Sequence, residues 1–250
     1  MAGSVDTSAS QAAPQDIAGL FAAARDRGDA ALDEHAAKAL LARTGIAVPA
    51  GLRLEAAAQV PGDMAGLSPP FALKALSRAA IHKSDIGAVR LGLPDASAVA
   101  AACKDIAARM QAAGALLDGF LVEEMAAPGT EIVMGGMIDA QLGPMIMLGA
   151  GGIHAEILRD ASFRLCPVDA TDAQEMLDEL RIAPILRGAR GRPSVDDAAI
   201  IAALLALGGK DGLFTRNADR IAEFDINPLI ARPDGLVAVD ARIVLHGGEA

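Results

Sequence analysis

Four chemically distinct side chains stand in a row within "AAIHKSDIGAVRLGL", residues 79–93: His82, Lys83, Ser84 and Asp85. An imidazole can carry a proton near neutral pH or accept a phosphoryl group. A cation and a hydroxyl beside it can hold phosphate oxygens, and Gly87 just beyond permits backbone movement. The row interrupts a chain that is 52% hydrophobic. Two readings fit it: a solvated surface loop, or a loop that handles phosphoryl groups.

The C-terminal stretch "EFDINPLIARPDGLVAVDARIVL" carries a second constellation. Asp225 and Asn227 are two apart, so on a strand they share a face. Pro-Asp-Gly is strong turn chemistry. A two-residue loop of Pro233 and Asp234 pairs Gly235 with Arg232, and the same register sets Asp240 opposite Asn227. Cross-strand neighbours have Cβ atoms about 4.5–5.5 Å apart, near enough for two oxygens to share one cation. An amide and a carboxylate are hard ligands of the kind Mg²⁺ takes alongside substrate phosphates. A three-residue loop with a bulge at Gly235 would slip the register and part the two residues. The plainer alternative is a turn-capping Asn and an Asp in a surface salt bridge.

Lys74 lies inside "PPFALKAL", where its neighbours are apolar. A buried ammonium needs an anion, either a phosphate or a protein carboxylate, unless the lysine snorkels from an edge strand. Glu123 and Glu124 end the run "GFLVEE"; as strand neighbours they point to opposite faces, one toward a cleft and one toward solvent. Glu131 follows just past "APGT", where Pro128 and Gly129 suit a type II turn.

Composition narrows the field. A net charge of −10 argues against a nucleic-acid backbone as partner, and six Phe with no Trp or Tyr leave no aromatic stacking platform. Two distant cysteines, Cys103 and Cys166, give no zinc pattern and fit a reducing cytoplasm. No segment reads as a signal peptide or membrane span. "GAGGIH" ends on His154 where a dinucleotide fingerprint needs a third glycine, and "GGKDG" lacks the rest of a P-loop. Arg187, Arg190 and Arg192 read as a solvated loop.

The elements that must position these residues are mixed helices and strands in two groups, before and after Pro128. "QDIAGLFAAARDRG" and "LDEHAAKALLARTG" are helical patterns, as is "DASAVAAACKDIAARMQAAG" with Asp95 as N-cap. "TDAQEMLDEL" predicts a helix with Thr171 as N-cap in a capping box with Gln174. The fold class is therefore α+β or α/β in two lobes.

These motifs, in this order, resemble the ATP-grasp subunit of ADP-forming acyl-CoA synthetases, the acetate–CoA ligase (ADP-forming) family, over about residues 30–246. The stretches "FALKAL…IHKSDIGAVRLGL", "LVEEMAAPGTEIVMGGMID", "GPMIMLGAGGIHAEILRD" and "EFDINPL…AVDARIVL" carry the likeness. It implies the α+β class and an ATP-grasp fold with nucleotide between two α/β lobes. The expected division is a disordered lead over 1–14, an N-terminal lobe with leading helices over 15–127, and a C-terminal lobe over 128–250. The resemblance gives Lys74 to nucleotide phosphate, Glu124 and its neighbour Glu123 to the adenine hinge, and Glu131 to ribose. It assigns Asn227 and Asp240 to Mg²⁺, Asp225 to steadying an incoming phosphohistidine, and His82 to relaying phosphate. ATP/ADP and Mg²⁺ are the implied cofactors. The sequence contains no CoA-binding domain, so a CoA-binding α subunit is the implied partner. A nucleotide-sensing module and a carboxylate–amine ligase are the competing readings. Ala79-Ala80 replaces a "PD" common in the family and touches no assigned residue.

Overall fold

The computed structural model describes residues 17–77, 87–152, 160–191 and 193–246. The expected lead over 1–14 and the His82–Asp85 row lie outside the described residues. Two antiparallel sheets organise the rest. The smaller has the order β2-β5-β3-β4, from β2 (Gly51–Leu54), β3 (Phe71–Leu76), β4 (Val89–Leu93) and β5 (Gly119–Glu124). The larger runs β1-β11-β9-β6-β7-β8, with β10 also paired to β9. Its strands are β1 (Ala31–Leu32), β6 (Thr130–Asp139), β7 (Gly143–Ala150), β8 (Ala161–Leu165), β9 (Ile221–Arg232), β10 (Gly235–Ala238) and β11 (Arg242–Leu245).

In the smaller sheet β3 is central, and all six of its residues are buried, Lys74 included. Phe71, Leu73 and Ala75 point to one face, with Phe120 and Val122 of β5. There they meet Val99, Cys103, Ile106 and Met110 of α3 (Ala96–Ala112), an apolar stripe at helical spacing. Asp95 caps α3 as the sequence predicts, accepting from the Ala98 N–H at 2.8 Å. Lys74 and Glu123 therefore point to the sheet's other face, where they are diagonal neighbours.

That second face is covered by a helix from the other core. Sequence order places α1 (Ile17–Asp26) and α2 (Glu34–Arg43) with the N-terminal lobe, yet both pack in the larger core with the sheet of β6, β7, β9 and β11. Ala37, Leu40 and Leu41 of α2 lie there at full burial, as the apolar stripe of an amphipathic helix does. α4 (Ala170–Asp178) and α6 (Asp197–Gly208) complete this core, with α5 (Ala183–Leu186) and α7 (Leu213–Arg216) as short turns. The cap of α4 is Asp169, not Thr171. Its carboxylate accepts from the N–H groups of Thr171 and Asp172, and Asp172 reciprocates to the Asp169 N–H. A carboxylate at the positive end of the helix dipole outcompetes a hydroxyl two residues on.

Candidate active site

The hairpin of β9 and β10 is closed by Pro233 and Asp234 alone, since Gly235 pairs with Arg232 and Ala238 with Leu229. The Val239 N–H continues the ladder to the Pro228 carbonyl, and the same register resumes in β11, where Arg242 faces Asp225. Between these points Asn227 and Asp240 stand opposite one another, as the two-residue loop requires. Phe224 and Ile226 turn into the core, so Asp225 and Asn227 share the outer face.

A bulge helps present them. Ile132 and Met134 of β6 pair with Leu229 and Ile226, so β9 fits one extra residue into the interval that contains Asn227 and Pro228. On β6, Gly135 and Gly136 leave room on both faces. Beneath Gly136 the Phe224 ring fills the space a Cβ would take, while Gly135 lies beside the Asp225 carboxylate. Burial first, then the charges of Asp240 and Glu223, push the Asp225 carboxyl above the ordinary aspartate range; Arg242 opposes them.

Lys74 reaches this hairpin from the smaller sheet. Its Nζ donates to the Val239 carbonyl at 2.6 Å, next door to Asp240. It also donates to Glu34 Oε1 at 2.5 Å and lies 3.2 Å from Glu123 Oε2. Burial alone would lower its pKa, but Glu34, Asp240 and Glu123 together hold the ammonium above the usual lysine range. Lys38 bridges the same two carboxylates, at 2.6 and 2.7 Å from the Glu123 oxygens and 2.9 Å from Glu34 Oε1. All four side chains are 2–4% exposed as residues.

Glu123 is thus turned inward onto two lysines, whereas half-buried Glu124 points the other way and accepts from the Ser68 N–H at 2.7 Å. Glu131 opens β6 in an exposed position, with its carbonyl accepting from the Gly151 N–H at 2.9 Å. The approach is so close that a Cβ on Gly151 would lie 2.8 Å from the Glu131 carbonyl carbon. Gly129 likewise serves contact, not the expected type II turn. Its φ lies outside the left-handed region such a turn needs, and a Cβ there would meet the Ala231 carbonyl oxygen at 2.6 Å.

The structure therefore brings Lys74, Asp225, Asn227 and Asp240 together. It adds Glu34 and Lys38, which sequence reasoning missed. Residues 23–245 match the ATP-grasp domain family. The chain is 37% identical over 219 residues to the "Acetate--CoA ligase [ADP-forming] I subunit beta" of Pyrococcus furiosus, covering 86% of this chain and 91% of that one. The chain belongs to the β subunits of the ADP-forming acetate–CoA ligases. Solved structures agree. The Candidatus Korarchaeum cryptofilum dinucleotide-forming acetyl-coenzyme A synthetase 1, in complex with coenzyme A and Ca-AMPCP, superposes with a TM-score of 0.84 at 35% identity. The match covers 91% of this chain and 98% of that one. The same enzyme with coenzyme A and Mg-AMPPCP, its phosphohistidine segment pointing towards the nucleotide-binding site, gives a TM-score of 0.76 at 36% identity and the same coverage. Phosphoryl transfer asks mainly for positioning and charge neutralisation.

Proposed function

We propose that the chain is the nucleotide-binding subunit of an ADP-forming acyl-CoA synthetase. With a CoA-binding α subunit it interconverts acyl-CoA, ADP and phosphate with carboxylic acid, CoA and ATP. The observation that carries this reading is the meeting of Lys74 with the hairpin that sets Asn227 opposite Asp240.

Lys74 would take a nucleotide phosphate oxygen as a point charge. Glu124 would line the adenine side with Glu123 acting through Lys74, and Glu131 would accept from ribose. Asn227 and Asp240 fit Mg²⁺: both are hard oxygen donors, and two protein ligands are the usual share when phosphates supply others. The amide–carboxylate pair would be the protein's contribution there. When bound, the ion offsets charge on the phosphate oxygens. His82 would accept the phosphoryl group and pass it to the α subunit's histidine, and Asp225 would hold that incoming ring by its N–H. The cytoplasm suits such an enzyme: both cysteines are free thiols, and no described helix is long and apolar enough to cross a membrane.

The test is calorimetric titration of the chain with Mg-ATP, followed by turnover with the α subunit. Wild type binds and His82→Ala binds equally but does not turn over. A folded wild type that ignores Mg-ATP, or a His82→Ala variant with full turnover, refutes the assignment.

A further inference from the structure

The Lys74 ammonium already donates to Glu34 Oε1 and the Val239 carbonyl, and it forms an ion pair with Glu123 Oε2 at 3.2 Å. An ammonium has three donors and no more. A phosphate oxygen at Nζ would therefore compete with these partners for the ammonium. Two of the three are carboxylates buried away from water, and a buried carboxylate abandoned by its cation is strongly unfavourable.

Lys38 is placed to absorb that change. Its Nζ contacts both carboxylates that Lys74 contacts, at 2.6–2.9 Å. Two lysines and two glutamates make a neutral set. With Lys74 drawn away, Lys38 still bridges Glu34 and Glu123; without Lys38, the same movement strands two neighbouring negative charges. Helix geometry holds this arrangement. Glu34 and Lys38 are four apart on one side of α2, and Ala37, Leu40 and Leu41 of the same helix anchor it in the larger core. Lys74 arrives from a different element, the central strand β3 of the smaller sheet.

We infer that Lys38 and Glu34 are positioning residues that set how readily Lys74 passes from the buried carboxylates to a nucleotide phosphate, with Lys38 as the substitute counter-ion and Glu34 as the competing acceptor. This rests on the reading of Lys74 as a phosphate contact. Neither residue needs to touch nucleotide.

Opposite signs of effect make the idea testable. The full chain is titrated calorimetrically with Mg-ATP as wild type, Lys74→Met, Glu34→Gln, Lys38→Met and the Glu34→Gln/Lys38→Met double variant, with thermal unfolding followed for each. Glu34→Gln should bind about fivefold tighter or more, and Lys38→Met weaker by at least as much, the size of an ordinary coupling between sites. The double variant, neutral again with Lys74 and Glu123, should return to near the wild-type affinity. If Lys38→Met does not fold, the double variant against Glu34→Gln still reports the sign. A merely structural role predicts weakening in both single variants and further weakening in the double, and that pattern overturns the inference. Unchanged binding in Lys74→Met overturns the phosphate reading itself, a separate failure.

Discussion

The two lobes carry their charges in opposite ways. On the smaller sheet, Lys74 and Glu123 complete a neutral, dry set with Glu34 and Lys38 in which each ammonium meets two carboxylates. On the hairpin of the larger sheet, burial first and then the like charges of Asp240 and Glu223 raise the Asp225 carboxyl. The first arrangement pairs opposite charges; the second sets like charges side by side. The two are joined at Val239, whose carbonyl takes the Lys74 ammonium one residue before Asp240. On the proposed reading, phosphate would meet the lysine side of this contact and metal the carboxylate side.

The comparison predicts where damage will be structural and where it will be functional. The largest effect should come from Glu123→Ala. Two buried lysines would then share one remaining carboxylate, and stability measured by denaturant should fall by about 3–5 kcal/mol. A loss under about 1 kcal/mol would mean the set is not dry. Next comes Asp240→Ala, expected to weaken Mg-ATP binding about 100-fold, close to 2.7 kcal/mol. Equal affinity in that variant would remove Asp240 from the metal assignment.

Asp225→Asn should have a smaller effect on stability, and one that depends on pH. A carboxyl raised in the folded state binds more protons there than in the unfolded chain, so stability falls as pH rises from the ordinary value of 3.8 through the raised one. The neutral variant should therefore be the more stable above that window and equal to wild type below it. A thermal-unfolding series across pH 3–8 reads this directly, and a variant less stable at neutral pH would contradict the crowding. The smallest effect belongs to Asp234→Ala. The Arg232–Asp234 pair at the hairpin tip is bidentate but its carboxylate is 69% exposed, so the loss should stay within about 0.5–1 kcal/mol. A larger loss would show that this ion pair, and not the turn alone, secures the register.

Much of the site was readable in one dimension. Pro-Asp-Gly implied a two-residue loop, the loop implied a register, and the register put Asn227 opposite Asp240. Lys74 was conspicuous because a charge inside an apolar strand needs an explanation; in this structure it meets the carboxylates of Glu34 and Glu123. Glu34 and Lys38 were not conspicuous. A Glu and a Lys four apart on a helix read as a surface pair, and nothing local says that a second sheet lies over them. The Thr171 cap failed for a similar reason of competition, since Asp169 offered a better acceptor just upstream. At Gly129 the residue type was informative but its purpose was not: the close pass of the Ala231 carbonyl exists only after β9 is laid beside β6.

By itself the sequence determined what is local: strand and helix periods, the hairpin turn, and which residues could bind phosphate or metal. It also carried the ordered motifs that mark the ligase family. Tertiary structure decided which charges meet. A side chain's partners in a dry interior come from whichever face is packed against it. Here α2, early in the chain, is held by the larger core and pressed against the far side of the smaller sheet. That placement makes an ordinary Glu–Lys pair into counter-ions for Lys74.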